Sequence, residues 1–238
     1  MSSTQAPVSI NGDLASFCAV DTNDMEWARS PSGTVWRKRV HLVGPAESGQ
    51  VTSVVRYDPN SSFPQHDHPA GEEILVIDGV FSDQQGDWPA GTYLLNPEGF
   101  RHAPFSKNGC VLFVKLRQYP GADRHHVAID TNTVSWQPGD IASLNRKPLY
   151  RQDGYADIVE LQKWAPRAGP VAIQYPDGAE LFVISGEFRN EHGQFRKGCW
   201  LRFPARSSHR LVSDSGCVLY VKTGGLKYLV PGVGPISA

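Results

Sequence analysis

Residues 66–79 read HDHPAGEEILVIDG, and residues 91–102 read GTYLLNPEGFRH. In the first stretch His66 and His68 are one residue apart, so an extended chain puts both imidazoles on one face. Glu72 follows, then the β-formers Ile74, Leu75, Val76 and Ile77, then Gly79, where the chain turns. The second stretch is a short strand broken by Pro97 and Gly99 that ends on His102. His66, His68, Glu72 and His102 together offer three imidazoles and one carboxylate. That set suits one divalent transition metal, zinc in the first place, with iron(II), nickel or manganese as alternatives.

The chain then repeats itself. AVDTNDMEW at 19–27 returns as AIDTNTVSW at 128–136, EILVIDGVF at 73–81 as ELFVISGEF at 180–188, and GTYLLNPEGFRH as GCWLRFPARSSH at 198–209. GCVLFVK at 109–115 returns as GCVLYVK at 216–222. The offset is 109 for the first pair and 107 for the later ones, so one small deletion accounts for every match. The sequence is a tandem duplication of a unit of roughly 100 residues. It divides into a tail (1–13), a first domain (14–120) and a second domain (121–238), joined near RQYPGADRHH at 117–126. The 23 glycines and 18 prolines between clusters of apolar and aromatic residues predict short strands and tight turns, with no long amphipathic helix. Each unit reads as all-β, an antiparallel barrel or jelly roll. Cys110, Leu112 and Val114 share one face of their strand, and Cys110 and Cys217 read as small buried apolar groups. Asp21–Thr22 and Asp130–Thr131 read as turn or cap chemistry, with Trp27 and Trp136 closing a barrel end.

The spacing His-x-His, three residues, Glu, six residues, Gly, then Gly, five residues, Pro-x-Gly, two residues, His, resembles the two motifs of the cupins. The phrases GEEILVIDGVFSD, YLLNPEGFRHAPFS and GCVLFVKL resemble the cupin domain of the ChrR group of zinc-binding anti-sigma factors. The resemblance covers most of residues 14–120 and, more faintly, the rest. It implies two tandem cupin barrels (double-stranded β-helices), metal ligation by His66, His68, Glu72 and His102, and dimerisation through edge strands, although a monomer also fits. Two functions are implied. One is a sensor or regulatory, anti-sigma-related bicupin that responds to a small oxidant or ligand. The other is a non-heme, metal-dependent dioxygenase acting on a diketone or hydroxyketone. Whether the chain is an enzyme stays open. The helical anti-sigma domain of that group, with its His-x-x-x-Cys-x-x-Cys zinc motif, has no counterpart in this sequence.

The duplication is an internal control on the metal site. At the offset of 107, His66 becomes Ile173, His68 becomes Tyr175, Glu72 becomes Ala179 and His102 remains as His209. A set lost together is a set with one job, so one metal is expected, in the first unit only. Glu72 vanishes with the histidines while Glu73 persists as Glu180, which favours Glu72 as the ligand. Glu73 is the fallback, because a turn over Pro69–Gly71 can reset strand parity. His209 reads either as a residual imidazole in a filled barrel or as part of a second, metal-free pocket with Tyr175 and Glu180. Arg56 and Tyr57 on the preceding strand, and Asn96 and Arg101 beside the second motif, are candidates to orient a ligand or meet a substrate. His41, His125, His126 and His192 read as surface or incidental.

A net charge of −1 gives no global pull toward nucleic acid or an anionic membrane. No apolar run approaches the ~20 residues of a membrane span. The N-terminal residues lack a basic and an apolar signal region. Four scattered cysteines without Cys-x-x-Cys suit a reducing cytoplasm. The expected partner is a small-molecule ligand of unknown identity.

Overall fold

The computed structural model describes residues 8–232. Residues 1–7 of the tail and 233–238 of the second domain lie outside the described residues. The chain forms strands throughout, with two short 3-10 turns and no α-helix among the described residues. Among the described residues no helix is long and apolar enough to cross a membrane.

Two compact units emerge. In the first, antiparallel strands run in the order Val8–Ile10, Val35–Gly44, Gln50–Tyr57, Cys110–Leu116, Glu72–Asp83, Thr92–Asn96 and Val127–Asp130. In the second, the order is Gln137–Pro138, Leu144–Tyr150, Ile158–Trp164, Cys217–Thr223, Ala179–Asn190, Cys199–Phe203 and Cys18–Asp21. The inward faces bury one core each. Val55, Ile74, Val76, Leu112 and Val114 line the first, and Leu181, Val183, Leu201, Leu219 and Val221 the second. Alternation along each strand supplies these positions. Gly79 and Gly186 turn matching strands with positive φ, and a Cβ at either would strike the carbonyl of Gly109 or Gly216.

The packed units differ from the sequence repeat by one exchanged strand. Cys18–Asp21, at the start of the first repeat, packs in the second unit against Cys199–Phe203. Its sequence counterpart, Val127–Asp130, packs in the first unit against Thr92–Asn96. Residues 8–10 of the expected tail are likewise a strand, paired with Val35–Gly44.

Cys110 and Cys217 are buried thiols in matching strands. Asp21 caps the 3-10 turn at Thr22–Asp24 by accepting from the Asn23 N–H at 2.9 Å. Trp27 and Trp136 are half-buried, and each ring stacks with cations. Lys38 and Arg56 lie 4.4 and 4.8 Å from the Trp27 centroid. Lys147 and Lys163 lie 4.5 and 5.8 Å from that of Trp136. His41 is fully buried rather than superficial. A bulge between Arg39 and His41 breaks the alternation there, and the imidazole Nδ1 meets the Asn11 carbonyl at 3.1 Å.

Candidate metal centre

The two units use the same register differently. In the second, Ala168–Tyr175 pairs with Ser207–Ser213, placing Val171 opposite Leu211 and Ile173 opposite His209. In the first, the ladder survives as two short pieces: His66–Asp67 with Arg101–His102, and Ser61–Ser62 with Phe105–Ser106. Pro64 and Pro104 stand at the positions of Val171 and Leu211. Neither proline has an N–H to give, so the ladder cannot continue through them. Leu211 is part of the second core and Val171 packs against it, whereas Pro104 borders an inner chamber and Pro64 an outer recess.

His66 and His102 sit directly opposite each other across the short ladder. A tight turn through Ala70 and Gly71, both at positive φ, brings the chain to Glu72. A Cβ on Gly71 would lie 2.8 Å from Tyr119 Cβ and 3.0 Å from the Asn96 carbonyl, so only glycine fits this close approach. The donor nitrogens of His66, His68 and His102 all lie within 4.8 Å of one another. Nε2 of His68 and Nε2 of His102 are 2.9 Å apart, and Oε2 of Glu72 is 3.4 and 3.5 Å from them. His68, His102 and Glu72 are buried, and His66 is half-buried. Glu73 projects from the other face of the same strand, in register with Lys115.

Each of three donors is held from behind. His66 Nδ1 lies 2.9 Å from the Pro64 carbonyl, which can only accept, so that nitrogen carries the proton and Nε2 is left with its lone pair. His102 Nδ1 meets Asp83 Oδ2 at 3.1 Å, with the same consequence. Asn96 Nδ2 donates to Glu72 Oε2 at 2.9 Å. Gln84 brackets the His102 backbone, donating to the Arg101 carbonyl at 2.9 Å and accepting from the Ala103 N–H at 3.0 Å. Burial raises the Asp83 carboxyl pKa, but hydrogen bonds from His102, the Gln85 N–H and Trp88 outweigh it and hold the group below its ordinary value. Burial pushes the His68 imidazole below its ordinary value, against the pull of Glu72.

The neighbouring residues divide by strand parity. Tyr57 lines the inner chamber, and burial, then Glu72, pushes its phenol well above the ordinary range. Arg56, one residue away, is not at the site. It lies over the Trp27 and Trp36 rings and 3.7 Å from Asp58. Arg101 is exposed. Asp83 and Gln84 have no place in the sequence reading. The signal was there for Asp83, because the offset of 107 pairs it with Asn190 just as it pairs His102 with His209. The chamber, of about 120 Å³, is otherwise apolar apart from Arg37, and an outer recess of about 340 Å³ adjoins it.

In the second unit the same positions are filled. Tyr175, Phe203 and Leu211 belong to the core and Ile173 packs against it. His209 is buried, stacks on Phe203 with centroids 4.5 Å apart, and lies 3.3 Å from the Tyr175 hydroxyl. Glu180 does not join them. It projects from the opposite face to Ala179, Leu181 and Val183, in register with Lys222 and Arg202. Asn190 Oδ1 accepts from the His192 N–H at 2.7 Å, which turns its Nδ2 toward His209 Nδ1 at 3.1 Å. That nitrogen must therefore accept, and the proton sits on Nε2, the reverse of His102. Burial takes the His209 pKa down to about 4. His192 stacks on Phe17 at 3.9 Å, and His126 on Phe100 at 5.0 Å, so neither is incidental to packing.

No curated protein matches the sequence. Among solved structures, a Nostoc punctiforme protein provisionally assigned as a dioxygenase is similar, with a TM-score of 0.71 at 19% identity over 93% of this chain and 88% of that one. The bacterial pirin of Escherichia coli in complex with nickel(II) gives 0.65 at 14% identity, over 92% and 100%. A mutant of Bacillus subtilis oxalate decarboxylase gives 0.63 at 12%, over 90% and 79%. At these identities the likeness is one of fold, two tandem cupin jelly rolls. The family model described as the ChrR cupin-like domain matches residues 15–120 and again 124–227, and the chain belongs to that family.

Proposed function

We propose that the first unit is a mononuclear metal centre, held by His66, His68, His102 and Glu72, that binds a small molecule beside the ion. The second unit is its metal-free structural counterpart. The observation that carries this reading is the contrast at equal positions. The first unit has converging donors next to a chamber, whereas the second has Ile173, Tyr175, Ala179 and Phe203 in a packed core. The donors fit an ion. Ligands at ~2.0–2.2 Å from one metal stand about 3 to 3.5 Å apart; the pairs among His68, His102 and Glu72 are 2.9, 3.4 and 3.5 Å apart, and the His66 nitrogen lies within 4.8 Å of the other two imidazole donors. His102 Nε2 has its lone pair free and faces another imidazole nitrogen and a carboxylate, an arrangement that calls for a shared cation.

Bound there, the ion supplies Lewis-acid polarisation of an oxygen or, as iron(II), a place for dioxygen. The chain's own residues do the rest. Asp83 and the Pro64 carbonyl set imidazole tautomers, Asn96 orients Glu72, and Tyr57, Phe63 and Phe81 border the chamber with hydrophobic surface. An open chamber beside the donors suits accessible chemistry better than a closed structural zinc, which favours the oxygen-dependent reading. Family membership supports a regulatory variant, in which occupancy rather than turnover is the output. Zinc is the first candidate for that variant and iron(II) for the enzyme, with nickel or manganese also compatible. The test is elemental analysis of purified protein. One tightly held transition metal per chain is expected, and none in the His66→Ala/His68→Ala/His102→Ala variant. Full metal content in that variant would overturn the reading.

A further inference from the structure

Arg37 projects from Val35–Gly44 on the same face as the core residue Val35. Apart from His66, His68 and Glu72, it is the only ionic side chain on the inner chamber among the described residues, and it also borders the outer recess. Its partner is Glu47, on the turn before Gln50–Tyr57. Glu47 Oε2 accepts from Arg37 Nη1 at 2.6 Å, and Oε1 from Arg39 Nη2 at 2.9 Å. The carboxylate is half exposed, at 49%, while the arginines are at 22% and 18%. Such an exposed partner holds weakly against water. Arg117 borders the same outer recess, and Asp67, also on it, stands across the ladder from Arg101. Arg37 and Arg39 thus share the one Glu47 carboxylate, while Arg117 and Asp67 offset each other on the recess.

We propose that Arg37 is the carboxylate-binding end of the site and that the ligand of the first unit is a small carboxylic acid, with Glu47 as the internal stand-in it displaces. This rests on the reading of the first unit as a small-molecule metal site and names its ligand class. A guanidinium presents forked donors that match a carboxylate. The occupant already found there, the Glu47 side chain, is a carboxylate. A ligand with its carboxylate on Arg37 runs along apolar walls toward His66, His68 and Glu72, so a second oxygen at its far end faces the metal donors. A cavity of ~150 Å³ takes up a molecule the size of benzene, so a chamber of about 120 Å³ suits a short acid.

The test is calorimetric titration of the protein, as purified and zinc-loaded, with 4-oxopentanoate and with 2,5-hexanedione. The second probe has a methyl ketone where the first has its carboxylate. The acid is expected to bind roughly ten-fold or more tightly than the dione in both preparations. Arg37→Met should abolish that preference, and Glu47→Gln, a change at an exposed position, should strengthen acid binding several-fold. Absence of acid binding, equal affinity for the two probes, a preference that survives Arg37→Met, or weaker acid binding by Glu47→Gln would each overturn the proposal. An Arg37-dependent preference in protein that retains no zinc would sink the metal reading and leave this one standing. Retained zinc without the preference would do the reverse.

Discussion

Asp83 and Asn190 stand at the same place in the two units and differ in one side-chain group, yet they set opposite histidine tautomers. Each uses one oxygen to accept a backbone N–H two residues on, from Gln85 or His192. What remains to face the histidine is a carboxylate oxygen in one case and an amide N–H in the other. The first leaves His102 Nε2 with a lone pair, and the second puts a proton on His209 Nε2. Asp83→Asn therefore keeps the shape and reverses the tautomer. Metal affinity, read by competition with a chelator, should fall by about 10–100-fold. Long-range 15N NMR of metal-free protein should report the His102 proton moving from Nδ1 to Nε2. Unchanged affinity with unchanged tautomer would refute the assignment. Much of this was legible at the residue scale, since the offset of 107 pairs these residues directly. Parity is where residue-level reading failed. Arg56 lies one residue from Tyr57 and Glu180 one from Ala179, and in a strand one residue is the other face of the sheet. The same alternation separates Glu72 from Glu73.

At the scale of elements, what distinguishes the units is whether one antiparallel ladder runs through or breaks. Val171 opposite Leu211 continues it, and Pro64 with Pro104 interrupts it. The strands themselves were legible from alternation and turn residues. The break was not, because a proline marks the loss of one hydrogen bond and does not say which partner it leaves. Arg37 escaped for another reason, since it belongs to no motif and its place at the chamber depends on how Val35–Gly44 rolls over the core. Filling the second barrel has a pH consequence. Burial takes the His209 pKa from its ordinary 6.5 to about 4. The unfolded chain then takes up a proton near pH 6.5 that the folded unit refuses until about pH 4. The stabilisation from keeping this imidazole neutral is complete above pH 6.5 and is lost progressively as pH falls to 4. The loss is on the order of 3 kcal/mol, at ~1.4 kcal/mol per pH unit. Thermal melts from pH 7 to pH 4 should fall more steeply for the wild-type chain than for His209→Phe. Parallel curves would show that His209 is not the group responsible.

Over the whole molecule, duplication gave two barrels from one sequence pattern, and divergence left the converging donors in the first. The repeat, the all-β character and the clustering of His66, His68 and His102 could be read before any coordinates, because motif spacing and a constant offset survive even where side chains change. The exchange of Cys18–Asp21 and Val127–Asp130 could not. The two segments are near copies, and alignment cannot tell which sheet edge each one covers. The offset nevertheless made a sharp claim about function, that a site present in one copy and erased in the other serves a single ion. Anomalous X-ray scattering at the absorption edge of the bound metal, from crystals of the full chain, tests this most directly. One peak per chain is expected, among His66, His68, Glu72 and His102. A second peak of equal height beside His209, or no peak at the first site in metal-containing protein, would contradict it.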